Sequence, residues 1–139
     1  MKKSLLAMGL TLAALSASAA EYKLAIQVSD NDPQKMNIAL NNAQNVQKHY
    51  EASGDSVAVE IVAYGPGLQM YTMNSPVKDR IDALSLDESY TFAACGNTLA
   101  KMEKKAGKKV ALLDGSTMVS SGVVRLMELQ SQGYAYVRP

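Results

Sequence analysis

The chain has a single cysteine, Cys95, set in Phe92-Ala93-Ala94-Cys95-Gly96-Asn97-Thr98-Leu99, where an apolar run gives way to residues that open a helix. A thiol between a strand end and a helix start faces free backbone N–H groups and the positive end of the helix dipole, and both stabilise a thiolate. Gly96 lets a substrate or partner approach the backbone closely, and Asn97 or Thr98 can cap the helix or donate a hydrogen bond to a bound anion. The plainer role for a cysteine beside Phe92-Ala93-Ala94 is that of a small buried hydrophobe. With no second cysteine, an intramolecular disulfide is excluded. The thiol is therefore buried and inert, paired between chains, or reactive.

Other residues offer less. Gly65-Pro66-Gly67 can hold a loop against a ligand, but two glycines around a proline also make an ordinary turn, and no phosphate-binding spacing is present. Ser121 stands where a polar loop meets a helix and can cap it or face a ligand. His49, the single histidine, falls near a helix end beside Lys48 and Tyr50, which fits a solvated face or a favourable charge at a helix C-terminus. Turn and cap roles account for Asp30 and Asp32. Lys101, Lys104, Lys105, Lys108 and Lys109 form a basic run that solvated helix termini explain more simply than a binding patch. Without a His/Cys cluster, a Ser/His/Asp set or a dinucleotide fingerprint, no metal and no cofactor is expected.

Elements must bring these residues to a common place. Met1-Lys2-Lys3, an apolar run from Leu5 to Ala17, and Ala17-Ser18-Ala19-Ala20 follow the order of a signal peptide. The run falls short of the roughly 20 residues that span a bilayer. The expectation is an exported, periplasmic protein cleaved after Ala19 or Ala20, with residues 1–20 as signal and 21–139 as one soluble domain of about 119 residues. Removing Lys2 and Lys3 takes 14 basic against 13 acidic residues to 12 against 13, a net charge of −1. A near-neutral domain lacks the basic surplus that offsets phosphates, so nucleic acid is not an expected partner, nor is a membrane after cleavage.

Tyr22 to Val28 reads as a first strand. Asp32 caps and Pro33 opens a helix to about Ala52, whose Met36, Ala39, Leu40, Ala43, Val46 and Tyr50 recur at helical spacing. Val57 to Ala63 is a nearly continuous apolar run, as in a strand buried on both faces. Short helices are predicted at Leu68 to Met73 and Val77 to Leu86, a third strand at Ser89 to Ala94, and a helix from Cys95-Gly96 to Gly107. Val110 to Leu113 reads as a fourth strand and Asp114 to Ser120 as a polar loop. Ser121 caps a helix from Gly122 to Gln132 that turns Val123, Val124, Leu126, Met127 and Leu129 to a core, and Tyr134 to Val137 is the last strand. Alternating strands and helices predict an α/β three-layer sandwich around a five-stranded, mostly parallel sheet. Ligand sites in such sheets lie outside the carboxyl ends of the strands, and Cys95 falls on that edge.

Three segments together, Val62-Ala63-Tyr64-Gly65-Pro66-Gly67-Leu68, Phe92 to Leu99, and Ser121-Gly122-Val123-Val124-Arg125-Leu126 with Gln132-Gly133-Tyr134, resemble the DsrE/DsrF-like proteins over nearly the whole mature chain. The resemblance implies a three-layer fold with a five-stranded parallel sheet and assembly into homotrimers or homohexamers. It further implies a cysteine that accepts sulfane sulfur as a persulfide from a donor protein and passes it to an acceptor. Carried to this sequence, Cys95 is the carrier thiol, with Gly96, Asn97 and Thr98 as its anion-stabilising backbone and cap; Gly65, Gly67 and Ser121, on the neighbouring loops at the carboxyl edge, are the further ligand-binding candidates. The export signal and the lack of the arginine-containing segment after the cysteine depart from the cytoplasmic relay carriers. The alternative function is a non-enzymatic small-ligand-binding or assembly module in which Cys95 is incidental.

Overall fold

The computed structural model describes residues 18–139, so the segment expected to be a signal peptide, but for Ser18 to Ala20, lies outside the described residues. Five strands, β1 (Glu21–Val28), β2 (Ser56–Ala63), β3 (Tyr90–Cys95), β4 (Ser116–Val119) and β5 (Ala135–Val137), form one parallel sheet in the order β4-β3-β2-β1-β5. Helices α1 (Pro33–Glu51), α2 (Lys78–Leu84), α3 (Gly96–Ala106) and α4 (Gly122–Ser131) alternate with them, and a short 3-10 helix, Gly65–Tyr71, follows β2. The α/β architecture is the one expected.

Strand order dictates the layers. The crossovers through α1, α2 and α3 all step the same way along the sheet, and crossovers of one hand then place these helices on one face. The connection through α4 steps back across the sheet to β5 and lands on the other face. The core is divided accordingly. Leu24, Ile26, Val28, Val59, Ile61 and Phe92 point to the first face, under Met36, Leu40 and Ile81. Ala25, Val62 and Ala93 point to the second, under Leu126 and Leu129 of α4. This is the two-residue alternation of a strand, with both faces apolar in the centre.

Local chemistry fixes the element ends. Asp32 caps α1, its Oδ1 accepting from the Gln34 N–H at 2.8 Å, and Pro33 takes the first position, where no N–H partner is needed. Gly107, at φ 67°, ends α3 in the left-handed conformation.

Two expectations are corrected. Val110 to Leu113 is not a strand: Leu112 makes an isolated antiparallel bridge to Thr72, and the Leu113 N–H donates to the Tyr71 carbonyl at 2.8 Å. The apolar side chain of Leu113 fills the core under the sheet's first face. The fourth strand is Ser116–Val119, inside the segment read as a polar loop. It is an edge strand with Thr117 and Met118 exposed, so it carries no apolar run. On α4, Leu126 and Leu129 are buried as expected, but Val123, Val124 and Met127 are exposed. One sheet face can hide only one stripe of a helix.

Candidate functional site

Pairing brings the carboxyl ends of the inner strands into line. Val28 is opposite Ala63, Ala63 opposite Ala94, and Cys95 opposite Val119. Helices and loops that begin at this line converge on Cys95. The residue ends β3 and is at the same time the N-cap of α3, with φ −72° and ψ 115°, and its side chain makes no capping hydrogen bond to that helix. It is free of any disulfide and only 4% exposed.

Burial by itself raises the Cys95 pKa, yet the donors grouped near the sulfur, the Thr98 hydroxyl and the backbone N–H groups of Thr98, Gly122 and Asn97, together outweigh it and hold the thiol below its ordinary value. Thr98 is arranged to donate. Its Oγ1 accepts the Gly65 N–H at 2.9 Å, which leaves the hydroxyl proton free for the sulfur. The Asn97 N–H is shared with the Ser120 carbonyl at 3.2 Å. Gly122 belongs to the first turn of α4, so Cys95 receives the N-termini of two helices, α3 from its own segment and α4 from the opposite face of the sheet.

The glycines of the site do different work. A Cβ on Gly122 would meet the Tyr64 ring and Cβ at 2.7 and 2.8 Å, so α4 can approach the thiol only because this position has no side chain. A Cβ on Gly67 would lie 2.2 Å from the Val28 carbonyl oxygen, which is why the 3-10 helix can press on the end of β1. Gly65 has open space around it but φ +54°, the left-handed region.

The expected residues do not all assemble. Cys95, Gly96, Asn97, Thr98, Gly65 and Ser121 share the carboxyl edge. Gly67 is buried and serves packing. Ser121 stands at the N-cap of α4, but its side chain makes no capping bond, and it is the backbone N–H of Gly122 that helps to lower the Cys95 pKa. His49 is in the last turn of α1, exposed, edge-on to Tyr50 at the opposite edge of the sheet. Asp30 pairs with Lys35 at 2.8 Å, and the Lys35 hydrogen bond draws its carboxyl below the usual range.

Two features escaped the sequence reading. Glu60, the lone charge in the apolar run of β2, is 4% exposed and accepts Arg125 Nε and Nη2 at 2.6 and 2.8 Å, a bidentate pair that anchors α4 to the sheet. The second is a groove of about 390 Å³ between the 3-10 helix and α3, which includes Gly65, Pro66, Thr98, Lys101 and Lys105. Another cavity, about 530 Å³, lies at the amino edge of the sheet among Tyr22, Val46, Tyr50 and Gly133. That edge has no cysteine and receives helix C-termini, so the groove at the carboxyl edge is the better placed for chemistry.

The fold and this edge define an open, parallel α/β protein with a cradled thiol at the strand ends. No protein-family model matches the chain, and no curated protein matches it significantly. Among solved structures it is similar to MTH1491 of Methanobacterium thermoautotrophicum, described as a protein of unknown function, with 29% identity and a TM-score of 0.72 over 85% of this chain and 99% of that one.

Proposed function

We propose that this chain is an exported, periplasmic member of the DsrE/DsrF-like proteins that carries sulfur as a persulfide on Cys95. One observation supports the reading above the others: the single thiol ends β3 as the N-cap of α3, at the strand edge where α4 also begins, with donors near the sulfur that lower its pKa. Such a cradle stabilises a thiolate, which is the nucleophilic form. In the transfer step the Cys95 thiolate attacks the outer sulfur of a donor R–S–SH. A new S–S bond forms on Cys95, the donor S–S bond breaks, and its electron pair leaves on R–S⁻. The product is Cys95–S–SH, and no external oxidant is consumed. Passage to an acceptor thiolate repeats the exchange in the other direction. The donor and acceptor are other thiol proteins or small thiols, and the carrier is proposed to work as a homotrimer or homohexamer.

One observation favours the second reading, a small-ligand-binding or assembly module with the thiol incidental: Cys95 is 4% exposed in the single chain. Intact-mass analysis of protein isolated from the periplasm, before and after alkylation at a series of pH values with Cys95→Ser as control, separates the two. The carrier reading expects an added sulfur atom, or alkylation with a midpoint below the free-cysteine value of about 8.5. A thiol that stays unmodified and resists alkylation until the protein is unfolded overturns it in favour of the binding module.

A further inference from the structure

The groove between the 3-10 helix and α3 has a chemistry of its own. Thr98, Lys101, Met102 and Lys105 fall at i, i+3, i+4 and i+7 and so share one face of α3, opposite Pro66 and Gln69. Neither Lys101 nor Lys105 forms an ion pair among the described residues, whereas Lys109 of the same basic run holds Glu103 at 2.9 Å. From Thr98 to Lys105 is roughly 10 Å along the helix axis. The cavity of about 390 Å³ thus has two unpaired cations toward one end, an apolar middle at Met102 and Pro66, and at the other end Thr98, in the first turn of the helix that Cys95 caps, while Cys95 itself does not line it. A small inorganic anion cannot span that length. An extended organic molecule can.

We infer that the groove seats a small organic thiol that bears carboxylates and delivers the sulfane sulfur, its carboxylates on Lys101 and Lys105, its stem against Met102 and Pro66, and its sulfur end at Thr98. This rests on Cys95 being the carrier thiol. The donor R–S–SH gives its outer sulfur to the Cys95 thiolate and departs as R–S⁻, still held by the lysines until it diffuses away.

Two measurements test the inference separately from the carrier reading. In the first, S-methylglutathione, which cannot transfer sulfur, is titrated into Cys95→Ser protein while backbone amide shifts are followed. Perturbations confined to the 3-10 helix and α3, and binding weakened about fivefold in Lys101→Gln/Lys105→Gln, are the expected result. Absence of binding, shifts elsewhere, or unchanged affinity in the double variant overturns the inference. In the second, Cys95 is loaded from glutathione persulfide or from the carboxylate-free persulfide of mercaptoethanol. The lysine variant should slow the first about fivefold and leave the second unchanged, and equal slowing of both overturns the inference. If neither persulfide loads Cys95, the carrier reading fails, and the titration still decides what the groove binds.

Discussion

At the scale of single residues, the balance at Cys95 is between burial, which raises the thiol pKa, and donors that lower it, with the donors prevailing. Thr98 is the donor that can be removed most cleanly, because valine keeps the shape and loses the hydroxyl. Thr98→Val should move the pH midpoint of Cys95 alkylation upward, since the thiolate loses a hydrogen bond that the neutral thiol uses less. An unchanged midpoint would mean that the backbone N–H groups alone set the thiol's acidity. Cys95 and Thr98 were legible in the sequence because they are neighbours in the chain and the boundary between Ala94 and Gly96 is a strand end. Gly122 was not, because its N–H meets the sulfur only after α4 has crossed to the far face of the sheet. Ser121 has the residue type of a cap there, yet its side chain makes no capping bond, and the Gly122 N–H beside it is the group that bears on the Cys95 pKa.

At the scale of elements, Gly65 and Gly67 look equivalent in the sequence and are not. Gly65→Ala meets no neighbouring atom but must hold a side chain at φ +54°, a cost of roughly 1 kcal/mol. Gly67→Ala drives a Cβ to 2.2 Å from the Val28 carbonyl oxygen, which forces the 3-10 helix off the end of β1, and about 3 kcal/mol is expected. Urea unfolding of the two variants should rank them in that order, and the reverse ranking would mean that the loop yields more easily than its packing implies. The attachment of α4 is testable in the same way. Arg125→Met leaves Glu60 buried with no partner and should cost about 2–4 kcal/mol, while adding Glu60→Leu should recover much of the loss. If the double variant is as unstable as the single one, the pair contributes through packing rather than through charge compensation. Elements with strong caps and buried periodicity, such as α1 and β2, were read correctly for a plain reason: their side chains pack where periodicity says they should. β4 was missed because an edge strand needs hydrogen-bonding partners on one side only and can be built from Ser116, Thr117 and other polar residues. Val110 to Leu113 was mistaken for it because an apolar tetrapeptide packs equally well as irregular chain against Tyr71.

At the scale of the whole molecule, the strand order leaves the two faces unequally covered. Three helices and the 3-10 helix shield the first face, and among the described residues α4 alone lies on the second. The stripe of α4 turned away from the sheet carries Val123, Val124 and Met127, all exposed, and Met118 is exposed on β4. A helix that is apolar on two sides has one partner within its own chain and fits a second partner outside it. Assembly of like copies through this stripe would also crowd the approach to Cys95, since α4 begins at Gly122, on the strand edge where Cys95 lies. Sedimentation of the protein at tens of micromolar should therefore give an assembly larger than a monomer, a trimer or hexamer under the proposed function, and Val123→Lys/Met127→Lys should give a monomer with unchanged circular dichroism. Alkylation of Cys95 then adds a second reading of the same experiment: the monomer should react faster than the assembly if neighbouring copies restrict access to the thiol, and at the same rate if access is controlled within one chain. A wild-type protein that remains monomeric across the whole concentration range would leave the stripe without the partner proposed for it and remove assembly from the function.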